Sequence, residues 1–374
     1  MSKRTFGLAA GGVAVAATVA IGILIAAGGG GEPRPATAEG RHDGMVDGTV
    51  WVANEDGASL TAIDASRNEV LTTLTGIEAP HNLQVSPDGR SVWAVSGHES
   101  MAIMVDAAGF ALHGAVPTGK EPAHVIVTPD GRTVYTTNSA DDTVTAIDVA
   151  TMKPVATISV GAFPHGTRPS PDGKWIYVAN ARGTTVSVID TAKNERVADV
   201  EVGKAPVQIA FSPDGRFAYA SLNGEDAVAK IDVVRRKLVG KAAVGVGPIQ
   251  VYVSPDGRYL LVANQGTEER PSTTVTIVDT ETFRVVRTVE TGQGAHGVVV
   301  DPTSRHAYIT NIYGGDVAVL DLIEQKVVAR IAVGEKPNGI SFSTVVPSAR
   351  PPATIELPLP HDADEGAMEE MDMG

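Results

Sequence analysis

The chain of 374 residues contains no cysteine. That excludes a disulfide, a thiolate metal site, a thiol-linked haem and a cysteine-borne lipid anchor. It is also short of positive charge: 30 Lys and Arg stand against 44 Asp and Glu, a net charge of −14. Binding along nucleic-acid backbones rests on Lys and Arg, so no nucleic-acid partner is expected. Beyond residue 40 no long stretch repeats its apolar residues at a helical period, so helices are not expected there. No Ser-His-Asp order, nucleophile elbow, phosphate-binding loop or haem-attachment motif occurs.

What the chain does have is one phrase, repeated with small changes. Its clearest copy runs from Thr167 to Asn180 through the turn Pro171-Asp172-Gly173 and continues to Asp190. The turn proline recurs as Pro87, Pro129, Pro171, Pro213 and Pro255, 42 residues apart, and as Pro302 after 47. A fixed period in this range means stacked or radial repeats. Within each unit, runs of about five residues rich in Val, Ile, Thr, Tyr and Phe read as strands. The third copy gives strands near 166–170, 175–179, 185–190 and 196–202. A repeated four-stranded antiparallel meander is a propeller blade.

First strands begin near His81, His124, His165, Gln208, Gln250, His296 and Asn338, which makes seven. The N-terminal set, residues 49–74, lacks a first strand, and the strand from Asn338 lacks followers. The predicted fold is therefore all-β, a seven-bladed propeller whose C-terminal strand completes the N-terminal blade and removes two free sheet edges.

Tyr177-Val178-Ala179-Asn180, Trp51-Val52-Ala53-Asn54, Tyr135-Thr136-Thr137-Asn138 and Leu261-Val262-Ala263-Asn264 resemble the YVTN-type β-propeller repeat, as do the Ser-Pro-Asp-Gly and Val-Ile-Asp segments. The resemblance covers about residues 46–343 and points to YncE-like and cytochrome d1-like seven-bladed propellers. It implies the fold and leaves function open. The family includes extracytoplasmic binding and surface-layer proteins, and lactonase-like enzymes and nitrous oxide reductase use comparable rings. The copper site of the last needs more His around the ring than Gln208 and Gln250 leave here.

The domain plan has four parts. Residues 1–30 read as a signal peptide or membrane anchor: Lys3 and Arg4 precede an uncharged apolar run from Phe6 to about Ala27, long enough to span, and Ala36-Thr37-Ala38 would suit cleavage. Either reading exports the propeller. Residues 31–45 form a Gly/Pro-rich linker and 46–343 the ring. Residues 344–374 read as a disordered tail, acidic and Met-containing from His361 onward. The tail's soft Met ligands with His361 offer a second, looser copper option.

In an antiparallel meander the fourth-to-first and second-to-third connections share one face of the ring. His81, His98, His124, His165 and His296 fall on that face, with Glu78, Glu99 and Glu121. Imidazole suits Cu, Zn, Fe and Ni, so these residues are candidate ligands for a transition metal, copper or zinc, or for a haem iron. The opposing reading makes the His and Gln residues caps of the first strands. Strict alternation sets His81 and His165, six before their turn prolines, out of phase with His124, five before its own. Arg168, Gln208, Gln250 and Asn338 complete the candidate ligand face. Arg168 could meet an anion in the channel or pair with a carboxylate, and the pairing is expected. The Asn residues ending second strands (Asn54, Asn138, Asn180, Asn264, Asn311) read as structural. A longer connection, residues 265–274, is a candidate contact loop.

The leading expectation is an exported cell-envelope protein that binds or scaffolds without catalysis. Its partner would be an envelope protein or a small ligand on the His-rich face, with the membrane reached through the N-terminal segment. The alternatives are a metal- or haem-associated propeller with redox or metal-handling work, and a lactonase-like hydrolase using a divalent ion among the face carboxylates.

Overall fold

The structure is a computed structural model and describes residues 44–359. The targeting segment 1–30, most of the linker and the acidic end from His361 lie outside the described residues. Among the described residues no helix is long and apolar enough to cross a membrane.

Six antiparallel sheets of four consecutive strands, and a seventh that joins the C-terminal strand to the first three, form the ring. The innermost strands, in ring order, are Pro337–Ser343, Leu83–Val85, Pro122–Val127, Pro164–Pro169, Pro206–Phe211, Pro248–Val253 and Ala295–Val300. They define blades one to seven. The C-terminal strand Pro337–Ser343 pairs antiparallel with Thr49–Asn54. Ring closure thus takes the expected form.

Each blade repeats the same physical devices. The hydroxyl of Ser86 donates to Asp88 and accepts from the Ser91 amide, and Gly89 supplies the left-handed corner of that turn. One large side chain per second strand fills the blade: Trp51, Trp93, Tyr135, Tyr177, Tyr219, Leu261 and Tyr308, all fully buried. The Tyr135 hydroxyl bonds Asn194 of the next blade at 2.6 Å. The recurrent Asn residues are buried and stitch second strand to third, as Asn180 donates to Thr185 and Ser187.

One boundary is corrected. The segment after Ser343 was expected to be disordered, because its prolines cannot continue a ladder. Instead Thr354–Glu356 returns and pairs parallel with the outer strand Glu69–Thr75. The Pro-rich stretch carries the chain across the blade, and Leu357 and Leu359 then bury in the core between blades one and two. The first blade therefore has five strands.

Candidate functional site

Six of the seven first strands have an irregularity of register near the His-bearing face, such as that between Pro164 and Thr167 or between Pro122 and Val125; the seventh, Leu83–Val85, begins only after His81. A bulge breaks the alternation of side chains. That corrects the phase argument made above: His81 and His165 do converge with His124. One nitrogen from each of the three lies within 4.8 Å of the others. The ring centroids of His124 and His165 are 4.7 Å apart, and those of His81 and His165 are 5.1 Å apart.

The outer nitrogens of this cluster are held. His165 Nδ1 bonds the Val207 carbonyl at 3.2 Å. A carbonyl only accepts, so this nitrogen carries the proton and Nε2 keeps its lone pair. His81 Nδ1 lies 3.2 Å from Glu55 Oε2, and Asn338 donates to the same oxygen at 2.6 Å. The inner nitrogens, His81 Nε2 and His165 Nε2, face each other at 3.1 Å. His124 Nδ1 faces the Gln208 amide at 3.4 Å, and its buried Nε2 has no partner. His296 packs beside His81, with ring centroids 6.2 Å apart and a buried, unpartnered Nδ1.

Burial keeps three of these rings, His124, His165 and His296, neutral. Burial, then the charge of His81 and His296, lowers His165 to about 3. Burial, then His81, lowers His296 to about 3. Burial, then His165 and His81, holds His124 well below the usual histidine range. Burial raises the Glu55 carboxyl, but the bond and charge of His81, the Asn338 amide and His296 outweigh it and leave it at about 2. His124, His165 and His296 are thus neutral imidazoles, and beside them stands one ionised carboxylate, Glu55.

Two donors on one ion with bonds of ~2.0–2.1 Å lie at most ~4.1 Å apart. The His81–His165 pair fits as it stands at 3.1 Å, and His124 offers a third nitrogen within 4.8 Å of both that would draw in on binding. Haem fits less well. Its iron takes its protein ligands along the axis of the macrocycle, so the convergence of three ring nitrogens suits a bare ion better.

The other expected residues divide. His98 sits exposed on the rim, 3.9 Å from Glu78. Glu99 accepts from Ser96, and Glu121 lines the mouth at the surface. None of these reaches the three-His cluster. Gln208 and Gln250 are buried and bonded to each other at 3.5 Å. The 265–274 connection extends a hairpin and sets Gln265 against the Tyr313 hydroxyl at 2.9 Å. Arg168 is misplaced on the His face: it lines the cavity among the Pro-Asp-Gly turns, at the opposite mouth. Its expected carboxylate partner is absent among the described residues. Glu55 was not singled out as a site residue, although its place in a second-to-third loop after Asn54 put it on the correct face.

Fold and site together define a seven-bladed propeller with a histidine cluster at one mouth of its channel. The family model of the YNCE-like beta-propeller matches residues 34–305, and the chain belongs to that family. A search of curated proteins finds no significant match. Among solved structures the chain is similar to the Kuenenia stuttgartiensis hydrazine synthase, at 24% identity and TM-score 0.64, over 72% of this chain and 91% of that one. It is similar to a putative 6-phosphogluconolactonase from Bacteroides uniformis, at 19% identity and TM-score 0.67, over 79% and 99%. It is also similar to the dihydro-heme d1 dehydrogenase NirN in complex with DHE, at 17% and TM-score 0.60, over 82% and 78%. At these identities the likeness is one of fold.

Proposed function

We propose that the chain is an exported cell-envelope propeller that binds a single transition-metal ion at the His mouth of its channel. One observation carries this reading: His81, His124 and His165 offer ring nitrogens within 4.8 Å of one another. The support around them is of the kind metal sites use, where a carboxylate or carbonyl takes the outer N–H of each ligating ring and turns the inner lone pair inward. Glu55 and the Val207 carbonyl play those parts for His81 and His165. Without an ion, a proton shared between the two Nε2 atoms gives the His81–His165 pair one positive charge, which the Glu55 carboxylate balances, and the metal takes that proton's place.

Three imidazoles suit copper and zinc, and the general affinity order favours copper. The mouth above them, a cavity of about 350 Å³ with His98 and Glu121 on its rim, leaves room for a small ligand or an envelope partner's side chain to complete the coordination. Export, with Lys3 and Arg4 on the cytoplasmic side, belongs to the same proposal. A lactonase-like hydrolase has less support, because the face carboxylates do not gather around the His cluster.

Titration calorimetry with Cu(II) and Zn(II) tests the reading. One ion per chain is expected, with His81→Ala and His165→Ala each weakening binding strongly. His306→Ala, on the opposite face, should bind like the parent. Equal binding by all four proteins would refute the site, and so would no binding below ~1 mM, which corresponds to only about 4 kcal/mol.

A further inference from the structure

The channel has a second mouth, among the Pro-Asp-Gly turns, and it holds a cavity of about 560 Å³. Its wall follows from the repeat. The residues three before each turn proline, and their counterpart in blade one, are Gln84, Ile126, Arg168, Ala210, Tyr252, Val299 and Ser341. All but Ile126 line this cavity. The last apolar positions of the same strands add Phe211 and Phe342, and the turn prolines close the rim.

Among the described residues Arg168 is the only charged one in that wall. It is half-buried and forms no ion pair and no side-chain hydrogen bond among the described residues. Burial lowers its pKa, opposed by the nearby Tyr252 hydroxyl. A desolvated cation without a counter-ion is costly to keep, and removing it is often neutral or stabilising. A position that serves packing alone would be filled as its equivalents are, with Ile126, Ala210 or Val299.

We propose that this mouth is a binding site for a small organic monocarboxylate with an aromatic body, held by Arg168. The guanidinium grips a carboxylate through two parallel N–H donors. Phe211, Tyr252 and Phe342 supply the apolar and aromatic walls that a ring would enter. The volume falls within the range of small-molecule sites, ~300–1,000 Å³. One cation in an otherwise uncharged wall balances one negative charge, so a dianionic phosphate is disfavoured. The site lies at the mouth opposite the proposed metal, although the Arg168 charge reaches His124.

The test is calorimetric titration of the full chain with 3-phenylpropionate, its neutral amide 3-phenylpropanamide, and inorganic phosphate. The carboxylate is expected to bind and the amide to bind at least ~10-fold more weakly, since hydrogen bonds to a charged group are at stake. Arg168→Gln should lose a similar factor while keeping or raising the thermal midpoint of the free protein, which separates lost recognition from lost folding. His165→Ala should bind 3-phenylpropionate like the parent. Equal binding of acid and amide, tighter binding of phosphate, unchanged binding by Arg168→Gln, or no binding of the carboxylate would each overturn the proposal.

Discussion

His81 Nε2 and His165 Nε2 lie 3.1 Å apart, although 84 residues and an intervening blade separate their strands. That spacing suits two ligands of one metal ion. It is maintained from outside by Glu55 on one ring and the Val207 carbonyl on the other.

The outer support should therefore matter without touching the ion. Glu55→Gln keeps the shape but removes the charge that orients His81. Metal affinity is expected to fall by ~10-fold or more, within the ~10–100-fold usual for such partners. His98→Ala, on the exposed rim, should change it little. Competition with a chromophoric chelator measures both.

Closure of the ring should govern solubility. A chain ending at Glu335 loses Pro337–Ser343 and frees the edge of Thr49–Asn54, an apolar strand that then seeks another partner. It should aggregate, as followed by light scattering. A monodisperse product would contradict the blade assignment.

The returning strand should contribute stability of its own. A chain ending at Pro347 keeps the closed ring but loses Thr354–Glu356 and the buried Leu357 and Leu359. It should stay soluble and melt at a clearly lower temperature. Leu357→Ala alone should cost ~2–5 kcal/mol, the range for a buried leucine. An unchanged thermal midpoint in both would mean the strap is not docked in solution.

Much of this architecture was legible because the turn prolines repeat at 42 residues and the strands between them alternate. The two losses have specific causes. The strap was missed because Pro347, Pro351 and Pro352 hide a three-residue strand whose only signal is the apolar pair Leu357 and Leu359. The convergence of His81 and His165 with His124 was missed because alternation was carried through the bulges at His165 and His124 and out to His81, which precedes its strand. Arg168 was set on the wrong face because it lies four positions into its strand from Pro164, nearer the turn.

Acid should destabilise the metal-free protein through His296, which is 3% exposed. Its folded pKa of about 3 lies below the unfolded value of ~6.5. Above pH 6.5 the ring is neutral in both states and contributes nothing. Between pH 6.5 and 3 the unfolded chain binds the extra proton, so stability falls on acidification by up to about 1.4 kcal/mol per pH unit for this group. Urea unfolding in chelator-treated protein should show that slope, and His296→Gln should flatten it. An equal slope in the variant would assign the effect elsewhere.

The most direct measurement is X-ray absorption at the metal edge of the protein loaded with one equivalent of Cu or Zn. Three imidazole ligands at ~2.0 Å are expected, falling to fewer in His165→Ala. A shell of oxygen donors alone, or an ion lost on desalting, would contradict a histidine metal centre at the channel mouth.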